Sequence, residues 1–226
     1  MTKSQTDAGK KAAKVLIVDD HPAVREGLAI RISRQPDLEV CGEAADVAEA
    51  LQLFAATNPD VAVIDISLKT GNGIDLIKRI KSRNASARLL VWSMYPEALY
   101  AERALHAGAL GYVNKEEATD KIIDAIRQVL SGKVYLSEPM SERMLHRTVG
   151  GESERAERSP VESLSDRELE VFQLVGQGLD TPQIALKILV SPKTVETYRA
   201  RIKEKLHLTS STELIRSAVQ WVAGSS

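Results

Sequence analysis

Residues 15–22 read VLIVDDHP: four aliphatic residues run straight into two adjacent aspartates, a histidine and a proline. The run has the character of a buried strand, and setting Asp19 and Asp20 side by side at its end opposes two like charges. Either the pair sits in a solvated turn or a cation compensates it. Taken alone the pair leaves the two readings evenly balanced, because adjacent aspartates before His-Pro also suit a turn or a helix cap.

The same grammar repeats downstream. Apolar runs at 15–19, 38–44, 61–66 (VAVIDI), 88–94 (RLLVWSM) and 111–115 (GYVNK) are each followed by apolar residues spaced three and four apart, as in Val24, Leu28, Ile32 or Ile122, Ile126, Val129. Five βα units predict a parallel, doubly wound sheet covered on both faces, with the carboxyl ends of all five strands on one edge. That edge collects Asp19 and Asp20, Asp65, Ser93 and Lys115. Carboxylates so crowded would raise one another's pKa unless a hard, oxygen-ligated cation such as Mg²⁺ neutralised them. An unpaired charge buried within VAVIDIS would be costly, which favours a functional Asp65. With the metal bound, Asp65 becomes a nucleophile toward phosphorus, and the lysine and serine become ligands for the transferred phosphoryl oxygens.

A chain of 226 residues accommodates two domains, and its ordinary composition needs no covalent staple. The single cysteine, Cys41, excludes an internal disulfide or a multi-cysteine zinc site and fits a reducing compartment. No long charge-free apolar run follows the lysine-rich start, so neither a leader nor a membrane span is expected and cytoplasm is the default. Residues 1–13 are expected to be a disordered tail, 14–135 the α/β domain, and 136–162, with its paired glycines and mixed charges, a linker. Residues 163–226 contain no strand-like run and predict short helices at 166–177, 181–188, 192–206 and 212–223. Ser165 with Glu168 forms a capping box, Ser191 precedes Pro192 as an N-cap, and Gly178 and Gly224 are read as helix stops. Net charge is −1, so any nucleic-acid binding must come from a local patch. One such patch holds six cations against Glu196 and Glu204 between Lys187 and Lys205. Charge alone does not separate this patch from a solvated helix face.

The ordered set of two aspartates, aspartate, serine and lysine resembles the receiver domain of two-component response regulators over 14–135, a flavodoxin-like fold. The resemblance implies Asp65 as phosphoacceptor for a sensor histidine kinase. It implies Mg²⁺ on Asp20, the Asp65 carboxylate and the Ser67 carbonyl, with Asp19 assisting through water. Ser93 and Lys115 would contact the phosphoryl group, and Tyr112 matches the aromatic switch position. His21 and His106 receive no role. Two departures stand out. Lys69 occupies a place where proline is frequent and implies a more mobile loop, and Met94 and Tyr95 follow Ser93 where fast-cycling relatives carry small or acidic residues, implying a long-lived acyl phosphate.

LSDRELEVFQLVGQGLDTPQIA followed by SPKTVETYRARIKEKL is similar to the helix-turn-helix of the NarL/LuxR class over about 164–222. By that similarity Lys193, Glu196, Thr197 and Ala200 face bases or nearby phosphates in double-stranded DNA, and Thr194, Arg199, Arg201 and Lys203 are candidate phosphate contacts. Glu196 stands where many relatives carry a basic residue. The last helix, with Leu214, Ile215, Ala218, Val219 and Trp221, is expected to supply core and a homodimer face reading inverted half-sites. The expected function is a non-enzymatic, phosphorylation-controlled transcriptional regulator. Its rivals are a Mg²⁺-dependent phosphohydrolase and a phosphorylation-independent transcription factor whose receiver is a dimer scaffold.

Overall fold

A computed structural model of the chain describes residues 11–117, 121–149 and 160–224. Five strands, β1 (Ala13–Val18), β2 (Leu38–Ala44), β3 (Val61–Ile64), β4 (Leu89–Ser93) and β5 (Gly111–Asn114), alternate with helices α1 (Pro22–Ser33), α2 (Val47–Thr57), α3 (Gly73–Arg83), α4 (Glu97–Ala107) and α5 (Lys121–Leu130). The sheet is parallel throughout, in the order β2-β1-β3-β4-β5. The chain therefore winds outward in both directions from the β1–β3 pair, and a crevice opens at the carboxyl ends of those strands.

Period-two alternation along β1 explains the two-sided core. Val15 and Ile17 face α1 and α5 with Leu28, Ile32, Ile126 and Val129, all buried. Leu16 and Val18 face the other layer with Ala50, Ile77 and Ala101. A parallel sheet buried on both faces needs such unbroken apolar strands, which is why VLIV reads as a run.

The second domain comprises α7 (Asp166–Gly176), α8 (Thr181–Lys187), α9 (Pro192–Lys205) and α10 (Ser211–Gly224). The Ser165–Glu168 capping box forms with both hydrogen bonds, and Ser191 caps α9 ahead of Pro192. Gly224, expected to stop the last helix, is instead its final residue. Phe172 of α7 meets Trp221 of α10 with ring centroids 5.6 Å apart.

Two expectations about chain organisation change. Strand β1 begins at Ala13, inside the stretch expected to be a tail; residues 1–10 lie outside the described residues. The expected linker holds α6 (Glu138–Val149) and a 3₁₀ turn at Pro160–Ser163, while 150–159 lie outside the described residues. Apolar spacing was too sparse to reveal α6: Met140 is buried and Met144 partly so, whereas Leu145 is 66% exposed. The helix starts on one tertiary contact, Glu97 Oε1 accepting from Ser137 N at 3.0 Å, and one local cap, Ser137 Oγ accepting from Met140 N at 3.2 Å.

The domains are docked. One face of α7 lies on α3 and α4, and the buried apolar cluster runs unbroken from Ile77 and Ala101 to Leu169 and Phe172. Asp166 accepts from Lys78 Nζ at 2.7 Å and Arg103 Nη1 at 3.0 Å, and Arg103 Nη2 also donates to the carbonyls of Glu162 and Leu164. Arg167 pairs with Asp75. At the buried centre, Tyr100 Oη donates to Gln173 Oε1 at 2.8 Å. Half-exposed Lys78 adds little, about 0–1 kcal/mol at most for a solvent-screened pair. Losing a partner of the buried Tyr100 hydroxyl costs about 1–3 kcal/mol, so the centre of the interface outweighs its rim.

Candidate phosphorylation site and nucleic-acid interface

The VLIVDD turn is capped but buried, and the cation that reaches it is a lysine ammonium. Asp19 is 2% exposed and does cap the turn, its Oδ1 accepting from His21 N at 2.9 Å. Its Oδ2 takes a hydrogen bond from Lys115 Nζ, and the same ammonium reaches Asp65 Oδ2 at 2.6 Å. The residues that immediately follow β1, β3 and β5 thus bring one cation between two buried carboxylates. Trp92 of β4 lies under it, its ring centroid 5.4 Å from Lys115 Nζ.

Charges follow from that geometry. Burial pushes the Asp65 carboxyl above the ordinary range; Lys115 pulls it down, Asp19 adds to the rise, and a hydrogen bond from Ser93 opposes it. Burial alone would lower the Lys115 ammonium, but Asp65 and Asp19 together hold it above its ordinary value. Asp20 behaves differently. Its Oδ1 is sealed from solvent and makes no hydrogen bond, although His21 Nδ1 lies 2.8 Å away. One ligand atom each from Asp19, Asp20, His21 and Asp65 falls within 4.8 Å of the others. Hard carboxylate donors and an orphaned oxygen fit Mg²⁺, which would fill the missing interaction at Asp20.

The flanking loops are closely held. Ser67 N donates to Asp65 Oδ1 at 3.3 Å, and an isolated bridge pairs Ser67 with Asn72. Asn72 caps α3 by accepting from Ile74 N at 2.8 Å. Lys69 N donates to Ala45 O at 3.4 Å. On the other side, buried Ser93 accepts from Tyr95 N at 3.5 Å, and Tyr112 is fully buried with its hydroxyl donating to the Tyr95 carbonyl at 2.7 Å. Met94 is 53% exposed, whereas Tyr95 is half-buried, its ring packed 5.0 Å from that of Tyr100. Asp65, Lys115, Ser93 and Tyr112 are therefore gathered at one edge. Sequence reasoning missed His21 at the carboxylates, Trp92 beneath the lysine, and the packing of Tyr95 on Tyr100, which reaches Gln173 of the second domain.

The second candidate surface is α9. Lys193, Glu196, Thr197, Ala200 and Arg201 are exposed along it, Lys203 and Thr194 are half-buried, and Thr194 Oγ1 lies 2.8 Å from Ser191 Oγ. Arg199 is turned inward, donating to Thr181 Oγ1 at 2.8 Å, and Thr181 in turn donates to Glu196 Oε1 at 2.6 Å. This arrangement ties α8 to α9 and fixes the angle at which α9 presents its outer face. The receiver covers none of those five exposed residues.

Comparison with known proteins bears on both surfaces. The profile of the family described as response regulator receiver domain matches residues 15–127, and that described as bacterial regulatory proteins, luxR family, matches 162–218. Oxygen regulatory protein NreC of Staphylococcus carnosus is 34% identical over 92% of this chain and 97% of its own, and BvgA of Bordetella pertussis is 36% identical over 89% and 94%. Among solved structures, RcsB of Salmonella enterica serovar Typhimurium, bound to promoter rprA in the presence of phosphomimetic BeF₃⁻, aligns with a TM-score of 0.66. It is 26% identical and covers 91% of this chain and 98% of its own.

Proposed function

Since the chain belongs to the NarL/FixJ family of two-component response regulators, we propose that phosphoryl transfer to Asp65 controls how its helix-turn-helix meets DNA. It is a phosphorylation-controlled transcriptional regulator. The observation that carries the assignment of Asp65 is the bridge from one Lys115 ammonium to two buried carboxylates, beside a buried Asp20 oxygen that accepts no hydrogen bond. Asp65 attacks the phosphorus of a histidine-kinase phosphohistidine or a small acyl phosphate, forming the Oδ–P bond as the donor bond breaks. Lys115 and Ser93 then hold phosphoryl oxygens, Lys115 exchanging a carboxylate partner for a phosphoryl one. Asp20, Asp65 and the Ser67 carbonyl, with Asp19 nearby, would hold Mg²⁺, and the ion would neutralise the gathered negative charge.

The output is DNA binding through α9, with α10 offering Ile215 and Val219, both about half exposed, as a face for a second copy. Two-fold pairing would suit inverted half-sites. Among the described residues no helix is long and apolar enough to cross a membrane, and the proposed place of action is the cytoplasm, where DNA and the phosphodonor meet. The hydrolase and scaffold alternatives are not favoured: Ser67 stands where an acid/base aspartate would serve a hydrolase, and the intact aspartate, serine and lysine set suits regulated phosphorylation.

Selection of bound DNA from random sequence, with and without Mg²⁺ and acetyl phosphate, tests input and output together. Phosphodonor should sharpen the selected site in the wild type and change nothing in Asp65→Asn; an equal response in both would overturn the assignment. The same selection tests Glu196→Lys. Because an acid at that position accepts from cytosine whereas a lysine donates to guanine, the variant should change preference at one base pair by about 1–3 kcal/mol. An unchanged site with altered affinity would leave Glu196 without a base-reading role.

A further inference from the structure

His21 stands between the aspartate pair and Pro22, and its own backbone holds it against the carboxylates. Its N–H donates to Asp19 Oδ1 at 2.9 Å, and it is extended at φ −93° and ψ 111°, the region to which a following proline restricts a residue. The imidazole is thereby brought to the cluster: Nδ1 lies 2.8 Å from Asp20 Oδ1 and 3.5 Å from Asp19 Oδ1. On the other branch of the carboxylates, Lys115 Nζ takes the Oδ2 atoms of Asp19 and Asp65. Their Oδ1 atoms take single backbone N–H groups, from His21 and Ser67, so each oxygen keeps capacity for an ion. Asp20 Oδ1 is buried and accepts no hydrogen bond. Neighbouring ligands of one octahedral ion stand about 3 Å apart, because each bond to the ion is about 2.1 Å. Asp20 Oδ1 and His21 Nδ1 already have close to that separation.

We propose that Asp20 Oδ1 and His21 Nδ1 are neighbouring ligands of one ion, and that the imidazole makes the site select a divalent first-row transition ion over Mg²⁺. Mg²⁺ takes oxygen ligands and gives up its waters reluctantly, so a nitrogen donor adds little to its binding. Transition ions accept imidazole beside carboxylates, and their affinity for such mixed sites rises from Mn²⁺ along the series to copper. The three aspartates therefore fix where an ion sits, and His21 sets which ion prevails when several are present. Its side chain is 65% exposed, so the nitrogen stands on the solvent side of the buried carboxylates, where an entering ion meets it. An imidazolium paired with Asp20 would show the same separation, but that arrangement makes the opposite prediction for metal affinity.

This inference rests on the carboxylate metal site of the proposed function, and the test separates the two. Mn²⁺ is titrated into the full-length protein with the free ion read by its electron paramagnetic resonance amplitude, and Mg²⁺ affinity is read by displacement of Mn²⁺. The wild type should prefer Mn²⁺, and the bound ion should show spin-echo modulation from a directly coordinated nitrogen. His21→Ala should lose that modulation and about tenfold in Mn²⁺ affinity, the lower end of what a supporting residue contributes at a metal site, with Mg²⁺ affinity unchanged. Retained Mg²⁺ binding also certifies that the variant is folded. Were His21 only a counter-ion to Asp20, its removal would free that carboxylate and tighten both ions. That result, an equal loss for both ions, or a nitrogen signal that survives in His21→Ala overturns the role of His21 and leaves the carboxylate site standing. A wild type that binds neither ion overturns the carboxylate site, and the role of His21 with it.

Discussion

Adding a single methyl group at Gly73 should cost the fold about 3 kcal/mol or more and abolish phosphoryl uptake, the range reached only when buried structure is forced apart. A Cβ built on Gly73 would lie 2.1 Å from the carbonyl oxygen of Asp65 and 2.9 Å from both Asp65 C and Ile66 Cα. These are backbone atoms, and they cannot swing aside as a side chain would. Gly73 N also donates to Ile66 O at 2.9 Å, so the first turn of α3 is clamped onto the strand end that carries Asp65. In Gly73→Ala either α3 withdraws, breaking its cap at Asn72, or the Asp65 peptide rotates and carries the carboxylate out of reach of Lys115. Urea denaturation of the full chain, read with acetyl phosphate uptake, checks this; a wild-type midpoint with wild-type uptake would refute the close packing.

Lys115→Met should destabilise the protein by about 3–5 kcal/mol near neutral pH, because it leaves two buried carboxylates facing each other without their counter-ion. Three consequences distinguish this loss from simple cavity formation. Mg²⁺ should restore part of it, since the divalent ion replaces the missing charge. Lowering the pH should restore part of it as well. Burial already holds the Asp65 carboxyl above its ordinary value of 3.8, so the folded protein binds that proton more tightly than the unfolded chain. Stability therefore falls as pH rises from the ordinary value through the raised one, and removing Lys115, which pulls the carboxyl down, extends that window upward. Wild type should show the opposite limit: Lys115 is raised above its ordinary 10.5, so the contribution of its ion pairs is full below that pH and is lost as pH climbs through the raised value. Thermal melts of both proteins across pH, with and without Mg²⁺, would reveal a variant deficit independent of pH and metal if the pair carries no charge-specific stability.

The sheet and its active edge were legible because parallel strands write themselves as unbroken apolar runs, and because Asp65, Ser93 and Lys115 each close such a run. Helices α7 and α9 were legible through Ser165 and Ser191, whose capping hydrogen bonds need only local sequence. Helix α6 was not, since it is held by Met140 and by the Glu97–Ser137 contact, which depends on a residue far away in the chain. The docking of the domains left no trace for the same reason. Asp166 reads locally as an ordinary first-turn acid, and only the fold brings Lys78 and Arg103 to it. Tyr95 was legible as a bulky neighbour of Ser93 but not as a link to Tyr100, because ring packing between a loop and the next helix has no period.

Helix α9 keeps its outer face in water while α7 is clamped to the receiver, with Lys193 and Arg201 exposed. Proteins hold nucleic acid without regard to sequence by displacing condensed counterions with such side chains, and they then slide and hop along it. If α9 meets DNA as proposed, a docked chain keeps those side chains available and would already reside on the chromosome before any signal arrives. Activation would then change how long a pair of copies dwells at one address, and the speed of the response would be set by scanning along DNA and not by arrival from bulk solution.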